Sequence, residues 1–173
     1  MSGEDSECME RKKVYVARDL SNLRVVDFPL WKIQTLAQLG DEAFAAKMLV
    51  ASAGDPFDTS TPESALGDLH ELEEEAGAAF DPSQWVLLSD ESGEIGVVLP
   101  QVSDADPRSG ILSYLAVMPA RRGHGLGRQL HQFGLQRLKE LGAVNYRGST
   151  DAENAAMLAI FRANSCRVDP VHG

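Results

Sequence analysis

Three glycines at alternate positions, Gly123, Gly125 and Gly127, stand among Arg121, Arg122 and Arg128 directly after the apolar run 111–118. Residue types in this pattern make an anion site. A helix N-terminus offers unpaired N–H groups and a partial positive charge. Glycine lets the backbone come close to a phosphate and adopt positive φ. The arginines add fixed charge around the turn. The bland alternative is a plain strand-to-helix turn. A P-loop would need Gly-x-x-x-x-Gly-Lys followed by Ser or Thr, and here the Lys and the hydroxyl are missing. The dinucleotide pattern Gly-x-Gly-x-x-Gly is not met either, because these glycines alternate.

The elements around the turn must present it. Residues 13–17 read as a first strand, and 27–54 as helical, with Asp41 capping a helix that Gly54 ends. The stretch 54–62 is a loop of Gly, Pro, Asp, Ser and Thr. Ser60-Thr61-Pro62-Glu63 then opens a second helix that Gly77 stops. Three strands follow, at 84–89, 94–102 and 110–118. The first two are joined by a hairpin turn at 90–93, with Pro100 marking a bulge or an edge. The third is apolar enough to be central in the sheet. Leu126, Leu130, Phe133, Leu138 and Leu141 mark the helix after the turn, and Gly142 caps it. A strand at 144–150 and a last helix through about Ala163, capped by Asp151, complete an α+β order. A hairpin meander ahead of the turn, rather than a βαβ unit, again disfavours a dinucleotide.

Bulk properties narrow the classes. A chain of 173 residues with 43% hydrophobic and 24% charged residues suits one domain. We expect a disordered acidic tail over 1–12 and a single domain over 13–173. No apolar run reaches the roughly 20 residues of a membrane span, and no signal peptide is evident. Cys8 and Cys166 form neither a disulfide framework nor a metal-ligand spacing, so a reducing, cytoplasmic setting without a metal is expected. A net charge of -10 argues against nucleic acid. Residues 119–147 nevertheless carry six basic side chains against one acid, leaving ten basic and 25 acidic residues elsewhere. That split suits an anionic cofactor at one place and a cationic substrate at another, although acids such as Glu71 and Glu73–Glu75 also suit a solvated helix face.

The pattern Arg-x-x-Gly-x-Gly at Arg122–Gly127, preceded by Val117-Met118-Pro119, resembles the Gcn5-related N-acetyltransferase (GNAT) family. A second match is the run Asn154 to Phe161, similar to the family's helix that opens on Asn and carries an aromatic residue seven positions later. The resemblance implies a GNAT-type mixed, mostly antiparallel sheet flanked by helices. It implies acetyl-CoA as co-substrate, with no metal. Backbone groups of Leu115, Ala116 and Val117 would pair with the pantetheine arm. N–H groups of Arg122, Gly123, His124, Gly125, Leu126, Gly127 and Arg128 would bind the pyrophosphate. Asn154 would touch the pantetheine, and Phe161 would lie near the thioester sulfur or simply pack in the core.

The chain departs from the family in three places. Where the family often has a Tyr acid, Phe161 has no proton to give. Near the position of a Glu base found in some relatives stands Ile111. Ser165-Cys166 replaces the usual Gly-Phe, so a left-handed residue is expected at Asn164 or Ser165, with Asn the better suited. Little chain follows, so the last arm of the sheet is short, missing or supplied by a second subunit in a homodimer. Tyr114 or Ser113, expected on opposite faces of one strand, are the candidate catalytic hydroxyls, with proton transfer through water as the default. His124 is expected in solvent and His131 on a helix surface. The resulting expectation is acetyl transfer to a primary amine of a small molecule or peptide, with a cationic acceptor such as a polyamine, an aminoglycoside or a basic peptide end. A non-catalytic acyl-CoA-binding module and another phosphate-binding α/β protein are the rival readings. Acceptor specificity would come from 27–80 and the loop 101–109.

Overall fold

A computed structural model of the chain describes residues 12–169. The tail expected over 1–12 therefore lies outside the described residues, Lys12 excepted. Seven strands form one sheet in the order β2-β3-β4-β5-β6-β1-β7. They are β1 (Lys13–Asp19), β2 (Lys32–Thr35), β3 (Val86–Asp90), β4 (Gly93–Val102), β5 (Ser109–Val117), β6 (Asn145–Asp151) and β7 (Arg167–Val168). Every pairing is antiparallel except β5 with β6. The α+β expectation and the antiparallel meander hold.

Helices cover both faces. On one lie α1 (Leu36–Leu39), α2 (Asp41–Ser52) and α3 (Ala65–Ala76). They bury Phe44, Met48 and Leu69 against Trp85, Leu87, Leu99 and Met118. On the other, α4 (Leu126–Glu140) and α5 (Ala155–Ala163) bury Leu130, Phe133, Leu135 and Phe161. Residues 95–100 of β4 are buried throughout, because both faces of that strand are covered. Pro100 sits at a register shift inside the sheet, so it marks a bulge and not an edge.

Local chemistry moved several boundaries. Residues 32–35 form an edge strand, where a helix was expected. Only Ile33 is large and apolar there, and pairing with β3 is what makes the strand. Gly40, at φ 84°, caps α2, and Asp41 is its first residue, where a carboxylate favours the helix dipole. Thr61 and Ser64 exchange backbone-to-side-chain hydrogen bonds of 2.9 and 3.1 Å, which delays α3 to Ala65 and leaves Ser60 to donate to Asp68 (2.8 Å). Asn154, rather than Asp151, caps α5 by accepting from the Met157 N–H at 3.1 Å. Ser165 takes the left-handed conformation (φ 62°), because the Asn164 side chain is buried and engaged elsewhere. The last arm of the sheet, among the described residues, is the two-residue β7 on β1.

Candidate active site

The parallel pair β5 and β6 holds together at one end only, through Ser109↔Asn145 and Gly110↔Tyr146. Beyond Gly110 the strands part. The β6-facing edge of β5 is therefore unpaired, whereas its other edge is bonded to β4 as far as Val117. A cleft of about 610 Å³ opens at the wide end. Its walls are Leu115, Ala116 and Val117 of β5, the turn that starts α4, and Asn154, Met157 and Ile160 of α5. The residues expected to hold the cofactor are thus brought together, except His124 and Phe161, which do not line the cleft.

In the turn, Gly123 (φ 83°) and Gly125 (φ 75°) need positive φ, and a Cβ on either would meet nothing. Their requirement is conformational. Gly127 differs: its φ is not positive, and a Cβ there would lie 2.8 Å from Ile160 Cδ1. It is a close-packing glycine that lets α5 lie against the first turn of α4. His124 is exposed, as expected.

The arginines are not equivalent. Arg121 grips the Asp90 carboxylate through both terminal nitrogens (2.9 and 2.7 Å) and donates to the Gly93 carbonyl (3.0 Å). Its task is to hold the β3–β4 hairpin, and the guanidinium keeps the Asp90 carboxyl below the usual range. Arg122 reaches the Ala51 carbonyl at the end of α2 (2.8 Å) and the Val117 carbonyl (3.3 Å). Arg128 is exposed on the first turn of α4.

Phe161 lies away from the cleft altogether. Its ring is 2% exposed and meets the His131 ring edge-on at 5.5 Å, within the α4–α5 core. The cleft wall on that helix is Met157 and Ile160. His131, expected on a surface, is fully buried. The Asn164 amide donates to the Arg128 carbonyl (3.0 Å) and to His131 Nδ1 (2.8 Å). The imidazole proton therefore sits on Nε2, which faces the Tyr146 hydroxyl at 3.3 Å. Burial, with a smaller push from Arg18, brings the His131 pKa down to about 4. The network ties the end of α5 to the start of α4 and so sets the width of the cleft.

Between Leu112 and Leu115, β5 carries one residue more than β4 spends between Val98 and Pro100. This bulge breaks strict alternation. Ser113 and Tyr114, expected on opposite faces, consequently both border the α3 residues Leu72 and Glu75, in two adjoining hollows. The Tyr114 hydroxyl donates to Asp58 Oδ2 at 2.7 Å. Burial and that carboxylate push its pKa far above an ordinary phenol, so the proton stays on Tyr114. Asp58 escaped the sequence reading. The visible signal was a pair of Asp-initiated turns three residues apart in the loop: Asp55 accepts from the Phe57 N–H, and Asp58 from the Ser60 N–H, both at 2.9 Å.

Residues 52–164 match the family described as Acetyltransferase (GNAT) family, and the chain belongs to it. No curated protein matches the chain. Among solved structures, a GCN5-related N-acetyltransferase from Sphaerobacter thermophilus is 20% identical, with a TM-score of 0.68 over 92% of this chain and 49% of that one. A GNAT-family acetyltransferase from Colwellia psychrerythraea is 15% identical, with a TM-score of 0.65 over 92% and 53%. Ard1 from Thermoplasma volcanium is 13% identical, with a TM-score of 0.58 over 79% and 82%. At these identities the likeness is one of fold. The chain spans about half the length of the first two. No helix among the described residues is long and apolar enough to cross a membrane.

Proposed function

We propose that the chain transfers an acetyl group from acetyl-CoA to a primary amine of a small molecule or peptide. The observation that carries this reading is the unpaired β5 edge, which ends at a turn rich in backbone N–H groups. An extended amide-bearing arm suits the edge, and a pyrophosphate suits the turn. A Cβ at Gly123 or Gly125 would meet no neighbour, so the turn leaves room beside its backbone. Bound acetyl-CoA would supply an activated thioester. The chain would contribute the N–H groups at Leu115–Val117, aimed at charge developing on the thioester oxygen, and walls that align the amine. A reducing, cytoplasmic setting belongs to the same reading, and Cys166 is a buried free thiol.

A second reading, an acyl-CoA-binding module without turnover, draws on the missing hydroxyl at Phe161 and the engaged one at Tyr114. Two measurements separate them. Acetyl-CoA at 100 times its dissociation constant should stabilise the fold by about 2.7 kcal/mol, with ATP and NAD inactive. A panel of amines should release CoA thiol. Stabilisation without thiol from any amine means a binding module; no stabilisation removes the cofactor.

A further inference from the structure

The loop between α2 and α3 borders two hollows at once. Asp55, Pro56 and Phe57 wall the cleft, while Asp58 and Ser60 line a second hollow of about 250 Å³. On β5 the same division falls between neighbours, with Leu115 on the cleft and Tyr114 on the second hollow. The hollows therefore meet where the cofactor edge of β5 runs into its bulge, which is where an acceptor must approach.

Asp58 is a held carboxylate at that junction. Tyr114 donates to one oxygen (2.7 Å) and the Ser60 N–H to the other (2.9 Å). A carboxylate oxygen accepts more than one hydrogen bond, so capacity remains on both. Behind it the hollow has an apolar floor that includes Met48 and Leu72, and Glu71 and Glu75 stand on its rim. No lysine, arginine or histidine lines it. An apolar floor bordered by Asp58 from the loop and by carboxylates of α3, with Asp68 held by Ser60 and Ser64 and with Glu71 and Glu75 uncommitted to them, matches a methylene chain with a positive charge at each end.

Resting on the acetyl-transfer reading, we propose that Asp58 receives the attacking amine as its ammonium ion and accepts a proton from it, and that the acceptor is an aliphatic amine with a second positive charge held by the Glu71–Glu75 rim. The ammonium gives one proton to Asp58, which returns it to solvent. The freed nitrogen pair forms the C–N bond, the C–S bond breaks with its electrons on sulfur, and the second nitrogen proton ends on the departing thiolate by way of water. Tyr114 is a positioning residue that keeps Asp58 aimed.

The test compares 1,5-diaminopentane with pentylamine at saturating acetyl-CoA, reading released thiol. Wild type should favour the diamine by about fivefold in kcat/KM, the upper scale of an exposed charge pair. Asp58→Asn should lower kcat/KM for both amines by roughly a hundredfold, the low end of general base assistance, with acetyl-CoA affinity unchanged. The surface double variant Glu71→Gln/Glu75→Gln should erase the preference through KM, leaving kcat within about threefold. Tyr114→Phe should cost less than Asp58→Asn, and mainly in kcat. Equal use of the two amines, an Asp58→Asn loss under about threefold, or turnover only of an amine with a single charge overturns the proposal while acetyl transfer stands. No thiol from any amine overturns acetyl transfer, and this proposal with it.

Discussion

The two hollows on either side of Leu115 are made of different material. The cleft is built of main chain: an unpaired strand edge, two left-handed glycines and the first N–H groups of α4, with side chains as packing. The hollow beyond Tyr114 is built of side chains, from one continuous stretch through α2, the 53–64 loop and α3, met by Tyr114 of the distant β5. A backbone site depends on conformation and close approach. A side-chain site depends on which charges converge.

The largest effect should therefore come from touching the backbone site. Gly125→Val should weaken acetyl-CoA binding by at least about 4 kcal/mol, roughly a thousandfold, because two or more charge-assisted hydrogen bonds are lost. The fold should survive, since a Cβ there meets nothing, although a β-branched residue at φ 75° costs about 1–3 kcal/mol of stability. Gly127→Val should lose binding as well, and should also lower unfolding stability by about 1–3 kcal/mol as Ile160 is forced off α4. Calorimetric titration and denaturant unfolding on both variants separate the two kinds of glycine. Asn, which tolerates positive φ, should recover stability relative to Val at 125 more than at 127, and equal recovery at both would erase the distinction.

Next in size is the joint behind the cleft. Folded His131 stays neutral down to about pH 4, whereas the unfolded chain protonates it near 6.5. The unfolded state thus binds more protons in that window, and stability falls as pH drops through it, by on the order of 3 kcal/mol. This contribution is complete above pH 6.5. Unfolding curves of wild type and His131→Gln at pH 7 and pH 4.5 isolate it, and a difference that does not shrink on acidification counts against it.

The smallest effect should be Arg122→Ala. The guanidinium is spent on the Ala51 and Val117 carbonyls, so acetyl-CoA affinity should fall by less than about tenfold. Acceptor KM should rise more than that, because the loop after α2 loses its anchor. A larger loss of cofactor affinity would make Arg122 a phosphate ligand and blur the contrast.

The same contrast explains what could be read from the chain. The Gly-rich turn with its helix is one contiguous run and the Asn154 helix another, so local pattern exposed the first and the family resemblance the second. Pairing across the sheet was not legible. Residues 32–35 become a strand only by lying beside β3, and the extra residue in β5 is defined only against β4. That one bulge decides where Ser113 and Tyr114 point. His131 carries no mark of burial beyond its place on α4, because Asn164 and Tyr146, which satisfy it, come from other elements. Asp58 was hidden for the same reason: its partner lies 56 positions away.

The parting of β5 and β6 has a further consequence for how the molecule keeps to itself. A strand with a bare edge is a template for other chains, and proteins usually blunt such edges at the rim of the sheet. This chain carries a bare edge in its interior, at the fourth of seven strands. The pairs at Gly110 close one end of the gap, and β6, bonded along its length to β1, forms the far wall. A single slender arm can slide in from the open end, while a strand still attached to its own sheet cannot. Recognition by main-chain pairing is retained, and edge-to-edge aggregation is refused by the shape of the gap.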